Sequence, residues 1–242
     1  KKLKTMKKLL LILLCVPLIF SSCKKEEEEL NNNNNNNSNT QTYIPDDNFE
    51  QELILLGYDD ILDNYVETAN IDTVTELNIE AKNISDITGI EGFIALTYLE
   101  CDKNQLTTLD LSNNTALIEL DCGPNLLTSL DLSNNTALIE LECYDNQLTS
   151  LDLSNNTALI DVSCNYNQLI SLDLSGATNL KYFSCAYNQL TSLDLSNNTS
   201  LISFNCHYNP NLTCIDVDDA AWASANWTMF IGPQNYFSED CP

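Results

Sequence analysis

Arginine is absent from these 242 residues, so lysine supplies all ten basic side chains against 35 acids, and the formal net charge is −25. A nucleic-acid binder needs a basic footprint, and this composition is the reverse of one. Acidic headgroups repel such a chain, so attachment to a membrane has to come from something other than charge. Histidine is nearly as scarce. His207 is the only one, which excludes a multi-histidine metal site within the chain and makes any His-based triad depend on it. No G-x-S-x-G, P-loop or dinucleotide glycine fingerprint occurs. No C-x-x-C pair occurs either, although that is the usual spacing of a cysteine metal site. Carboxylate pairs abound, but in a repetitive chain they arise by copying, and acids without a pocket do not make an enzyme. The chain is therefore read as non-enzymatic and without a cofactor. The apolar run Leu9–Phe20 is too short for a comfortable membrane span.

What is present is a period. Cys101, Cys122, Cys143, Cys164, Cys185 and Cys206 each lie 21 residues after the last. Asn104, Asn125, Asn146, Asn167, Asn188 and Asn209 keep the same spacing, as do Leu96, Leu117, Leu138, Leu159, Leu180 and Leu201. A fixed period of this size marks stacked coils. Leu99-Glu100-Cys101-Asp102 alternates apolar and polar, which is strand patterning. Stacking places these short strands in parallel, about 4.7–4.9 Å apart. One coil cannot bury its apolar side alone, whereas several neighbours can. The asparagine column has the donors and acceptors to satisfy backbone groups where the chain turns off the strand. The cysteines, good small hydrophobes, are read as buried inert thiols.

The segment L-x-x-L-x-C-x-x-N-x-L starting at Leu96 resembles the leucine-rich repeat, with Cys101 in place of an inner leucine. The stretch N-I-S-D-I-T-G-I-E before it is similar to the 22-residue repeats of internalin-like proteins, with Lys82 where the asparagine would stand and a looser turn expected there. The resemblance implies a right-handed solenoid of short parallel strands, with a mostly non-helical convex side, a helical N-cap and a disulfide-closed C-cap. The domains follow as 1–22 signal peptide, 23–42 lipidated acidic and Asn-rich tether, 43–73 N-terminal cap, 74–217 repeats and 218–242 C-terminal cap. For the N-cap, Asp47 and Glu50 fit a capping box, Phe49, Leu53 and Leu56 share one helical face, and Gly57 terminates the helix. For the C-cap, Cys214 and Cys241 break the rhythm and flank Trp222, Trp227, Phe230, Tyr236 and Phe237. The resemblance implies a bridge between them, with two unpaired thiols as the alternative.

Lys7, Lys8 and the apolar run after Met6 have the layout of a secretory signal. Phe20-Ser21-Ser22-Cys23 resembles a bacterial lipobox, which implies cleavage before Cys23 and acylation of that residue. Lys24-Lys25 followed by Glu26–Glu29 is similar to the surface-export signal of some Gram-negative lipoproteins. The expected location is the outer membrane, lipid-anchored and facing the medium. The Asn31–Asn37 tract cannot form a core and serves as a tether. Asp72-Thr73-Val74 resembles an O-glycosylation acceptor.

Residues between the apolar columns face outward on the concave side. Its first half is acidic (Glu100, Asp102, Glu119, Asp121, Glu140, Glu142, Asp145, Asp161), and Glu119, Asp121, Glu140 and Glu142 are the candidate oxygen ligands for Ca2+. Its second half carries Tyr144, Tyr166, Tyr182, Tyr187, His207 and Tyr208, rigid apolar area with hydroxyl handles of the kind favoured at interfaces. The expected partner is an extracellular protein or host factor. A glycan stacking on the tyrosines and an envelope scaffold are the alternatives. Asp110, Asp131, Asp152, Asp173 and Asp194 form a second acid column, read as accepting local bonds near the Ser-Asn-Asn turns.

Overall fold

The computed structural model describes residues 40–227 and 231–242. The signal peptide, Cys23, the tether before Thr40 and Phe230 lie outside the described residues. In chain order the elements are β1 (Gln41–Tyr43), α1 (Asp47–Leu56), β2 (Tyr65–Glu67), α2 (Thr68–Ile71), β3 (Glu76–Asn78), β4 (Tyr98–Glu100), β5 (Glu119–Asp121), β6 (Glu140–Glu142), β7 (Ser150–Asp152), β8 (Asp161–Ser163), β9 (Ser171–Asp173), β10 (Tyr182–Ser184), β11 (Leu193–Asp194), β12 (Ser203–Asn205), β13 (Cys214–Asp216), α3 (Ala220–Asn226) and β14 (Tyr236–Ser238). A short 3-10 turn, Ile90–Gly92, lies between β3 and β4.

Seven strands pair in parallel in the order β3-β4-β5-β6-β8-β10-β12. The register aligns Leu77, Leu99, Leu120, Leu141, Val162, Phe183 and Phe204 in one buried row, the apolar column read from the period. Each coil crosses this sheet once, which makes the molecule a leucine-rich-repeat solenoid. The other flank is non-helical, as expected, but it is more regular than the sequence reading held. Its Ser-Leu-Asp segments pair as β7-β9, and β11-β13-β14 carries the same kind of ladder through to the C-terminus. The column Asp110, Asp131, Asp152, Asp173 and Asp194 accepts from the backbone N–H two residues on, at Ser112, Ser133, Ser154, Ser175 and Ser196.

Two asparagine columns hold the coils together. In the first, each side chain serves its own coil and the one before. Asn125 Oδ1 accepts from Leu106 N at 2.9 Å while its Nδ2 donates to the carbonyls of Cys101 and Cys122. Asn104 does the same for the first coil, accepting from Lys82 N and Ile84 N. Lys82 therefore needs no asparagine of its own, because the turn there is held from the following coil. The second column, Asn114, Asn135, Asn156 and Asn198, lies on the opposite side of the core. Asn135 Nδ2 donates to Leu111 O and Asn114 O, and its fellows repeat the pattern. Ala177 interrupts this column. Beside it, Gly176 lies so close to the previous coil that a Cβ would stand 1.8 Å from Ser154 O. At that approach only glycine fits.

The caps cover the apolar ends. The helix α1 is N-capped by Asp46 rather than Asp47, with Asp46 Oδ1 accepting from Asn48 N and Phe49 N. Glu50 does not reach back to the cap. It is fully buried, and its Oε1 accepts from Asp63 N and Tyr65 N in the loop that folds over α1. Phe49 and Leu53 are buried as expected, but Leu56, at the end of the helix, is 43% exposed. Gly57 closes the helix in the left-handed region, at φ 82°. At the other end Trp227 and Phe237 pack on Phe204, the last residue of the buried row, with centroids 5.0 and 6.1 Å away. Gln234 Nε2 donates to Asn209 O and Asn235 Nδ2 to Leu212 O, so the last turn is satisfied without another repeat. Cys214 and Cys241 are bridged across the β13–β14 cap.

Candidate functional site

Strands of three residues bury the central side chain and turn the other two outward. Parallel register then lines these outward residues up coil by coil. Tyr98, Glu119, Glu140, Asp161, Tyr182 and Ser203 form one row, and Glu100, Asp121, Glu142, Ser163, Ser184 and Asn205 the other. Carboxylates therefore face carboxylates across neighbouring coils. Asp121, Glu140, Glu142 and Asp161 all have pKa values above the usual carboxylate range. Partial burial is the largest cause in each, with repulsion from neighbouring acids adding to it for Asp121, Glu140 and Glu142. Tyr98, whose hydroxyl donates to Glu100 Oε2, is pushed up to about 12 by burial and by that bond.

The tyrosines do not all lie on the strands. Tyr182 is a strand residue on β10 and is exposed. Tyr166, Tyr187 and Tyr208 sit in the turn after their strands, each one residue before a ladder asparagine, with φ of 54°, 57° and 60°. A left-handed backbone is uncommon outside glycine and is held here by the next coil, Tyr166 N donating to Ala186 O and Tyr187 N to His207 O. The strict period sets the three rings one above another. Tyr166 and Tyr187 stack at 4.3 Å and 12°, Tyr187 and Tyr208 at 4.2 Å and 15°. A hydrogen bond to Tyr208 leads the causes that push Tyr187 up to about 12. At the same position in earlier coils stand Lys103 and Asp145, also left-handed, and Pro124, whose ring forbids that conformation. The stack is thus confined to the C-terminal coils.

Tyr144 lies a position earlier in its coil and packs over Gly123, where an added Cβ would meet the ring at 2.9 Å. His207 occupies the matching position, and its Nδ1 is 3.0 Å from Asn205 Oδ1. Asp102, read as facing outward with the other acids, is 2% exposed. The turn that follows β4 folds it inward against Lys103, whose Nζ is 3.0 Å from Asp102 Oδ2.

Glu119 pairs in register with Glu140 and Asp121 with Glu142. Among the described residues, however, the acids that converge as a group of three, with one oxygen from each within 4.8 Å of the others, are Glu80, Glu100 and Asp102, at the N-terminal end of the sheet. The sequence reading also missed a row at the entry to each strand. Ile118, Ile139 and Ile202 are exposed there, with Lys181 in the same column. Their 21-residue spacing was the available signal, masked by the buried leucine that precedes each one. The cysteine column is buried as thiols. Burial pushes Cys164 and Cys206 up to about 12 and the other four well above the ordinary thiol value.

No protein-family model matches the chain. A stretch of 73 residues, 30% of the chain, is 38% identical to Internalin J of Listeria monocytogenes serotype 4b (strain F2365) and spans only 8% of that protein's length. Among solved structures the chain is similar to internalin C2 of L. monocytogenes, with a TM-score of 0.62 and 21% identity over 81% of this chain and 95% of that one. It is also similar to an internalin (inlF) of the same species, with a TM-score of 0.59 and 22% identity over 82% and 72% of the two chains. The functional domain of InlJ, described as including a cysteine ladder, aligns at a TM-score of 0.46 and 28% identity over 74% of this chain and 52% of that one.

Proposed function

We propose that this internalin-like leucine-rich-repeat chain is a binding protein whose partner docks on the outward face of the seven-stranded sheet. The observation that supports it most is the makeup of that face. An exposed isoleucine row runs along the entry edge, acids fill the N-terminal half, and the tyrosine stack borders the exit edge of the C-terminal half. Each kind of contact has a use in protein recognition: apolar area, charge that selects a basic partner, and rigid aromatics with hydroxyl tips. Carbohydrate stacking has less to work with. Both faces of the Tyr187 ring are covered by Tyr166 and Tyr208, which leaves its edge and hydroxyl.

The setting we propose is the outside of the producing cell. Cys23 would carry the lipid, residues up to 42 would act as tether, 43–73 and 218–242 would cap the 74–217 repeats, and the partner would be an extracellular or host protein. No reaction is assigned. Pull-down from intact cells, read by quantitative mass spectrometry, tests the surface. A chain with Tyr166, Tyr187 and Tyr208 all changed to alanine should lose the partner that the parent chain captures, while Asp131→Ala on the opposite flank should keep it. Equal capture by all three would remove the sheet face from the account. Release of Cys23→Ala from the membrane fraction, and shaving of the parent chain from intact cells by external protease, test anchor and orientation separately.

A further inference from the structure

Among the described residues there are three lysines, Lys82, Lys103 and Lys181. One of them sits inside a cluster of three acids. Lys103 Nζ pairs with Glu80 Oε1 and, at 3.0 Å, with Asp102 Oδ2. Glu100 completes the group, and one carboxylate oxygen from each acid lies within 4.8 Å of the others. The stacking of the coils brings them together. Ala81 N donates to Asp102 O and Ile79 N to Glu100 O, which lays Glu80 beside the Glu100–Asp102 segment of the next coil. A single ammonium among three carboxylates leaves two negative charges uncompensated. The shortage is visible at Asp102, which is 2% exposed and whose Oδ1 has no hydrogen-bond partner. A buried carboxylate oxygen left bare is among the more costly features a fold can carry. Its carboxylate belongs to the group whose oxygens converge.

We propose that Glu80, Glu100 and Asp102 form a Ca2+ site at the N-terminal end of the sheet face, and that Lys103 is its displaceable internal cation. An all-carboxylate set of hard oxygen donors suits Ca2+ or Mg2+ rather than a transition metal. Two ligands of one Ca2+ stand at most about 5.2 Å apart, twice the longest usual bond, and the cluster falls inside that limit. With Lys103 displaced, one divalent ion leaves a single negative charge on the three carboxylates where the ammonium leaves two, and the buried Asp102 carboxylate gains a stronger cation. Lys103 is about half exposed and can swing out along its flexible stem. The site deepens the proposed binding role without depending on it: filling it would lower the negative charge at one end of the docking face, so partner affinity would respond to calcium.

Calorimetric titration of the full chain with CaCl2 tests the site directly. One saturable event is expected, with Kd about 10⁻⁴–10⁻³ M, the range of extracellular modules. Asp102→Asn and Glu100→Gln should each weaken it about tenfold or more, and Lys103→Met should tighten it by a similar factor because the competing ammonium is gone. Asp173→Asn, on the opposite flank where its carboxylate accepts from Ser175 N, should leave it unchanged. The gain expected from Lys103→Met cannot come from misfolding, so the test survives if the acid variants prove unstable. Absence of a saturable event, or affinity that is the same in the Lys103→Met chain, overturns the proposal. Because the readout is the ion alone, failure here is distinguishable from failure of the docking face.

Discussion

A single asparagine decides more in this fold than a single leucine pattern would indicate. Asn135 lies fully buried and uses its Nδ2 on two carbonyls, Leu111 O and Asn114 O, both in the preceding turn of its column, while its Oδ1 has no hydrogen-bond partner. It acts as a donor only, which makes the next prediction asymmetric. Asn135→Ala leaves two carbonyls unpaired and should cost about 1–3 kcal/mol. Asn135→Asp sets an acceptor against two acceptors and should cost clearly more, although it is nearly the same size. Urea unfolding of the two variants side by side gives the comparison. The thiols make a second residue-scale case. With their pKa values raised by burial, the six repeat cysteines should resist an aromatic disulfide reagent at pH 8 in the native chain and react together on unfolding. Reaction of any of them at the rate of a small thiol, with the fold intact, would contradict their burial.

The caps carry the argument at the scale of elements. Asp46 is shared between two of them: Oδ1 caps α1, and Oδ2 accepts from Ser85 N, Ser85 Oγ and Asp86 N on the first coil. Burial pushes its pKa up, but the bonds from Ser85, Phe49 and Asn48 outweigh that and hold it below the usual value. Asp46→Ala should therefore cost about 2 kcal/mol or more, and should raise amide exchange in α1 and in the 83–86 turn while leaving the C-terminal coils unchanged. Uniform loss of protection would mean that the cap and coils unfold as one unit. This clamp also marks the limit of what sequence can tell. The period gave the strands, the buried rows and the ladder from Asn104 to Asn209, because each is repeated and a repeated side chain has a repeated environment. Asp46 against Asp47, and Glu50 turned to the 63–65 loop, are single-copy contacts between segments 13 to 40 residues apart, and no period reports those. The tyrosines were singled out as outward positions between the apolar columns, but their stacking needed the left-handed turn, which a Tyr-Asn pair does not announce. Gly176 and Ala177 stand where the neighbouring coils have Asn-Asn, and the reason for glycine there is the 1.8 Å approach to Ser154 O.

At the scale of the molecule the governing quantity is charge. Asp121, Glu140, Glu142 and Asp161 have folded pKa values above their ordinary 3.8 or 4.5, so the folded chain takes up protons more readily at these sites than the unfolded chain. Their unfavourable contribution is present at neutral pH and relieved as pH falls through the raised values. Asp46, Asp110, Asp131 and Asp152 are shifted the other way, and the stability they give is present above 3.8 and lost as pH falls through their lowered values. Tm should therefore rise from pH 7.5 to about 5 and fall again below about pH 3.5. The part of the rise due to repulsion should shrink in about 1 M NaCl, while the part due to burial should persist. A Tm that declines steadily from pH 7.5 downward would show that the acids of the sheet face are not strained. That strain is tolerated across one face only, where the isoleucine row and the tyrosine stack border it. Photocrosslinking on intact cells reads this most directly, with the reactive amino acid placed at Glu140, Tyr182 or Asp131. The account predicts a shared protein adduct from the first two positions, on the sheet face, and none from the third. Adducts from Asp131 alone, or equally from all three, would contradict it.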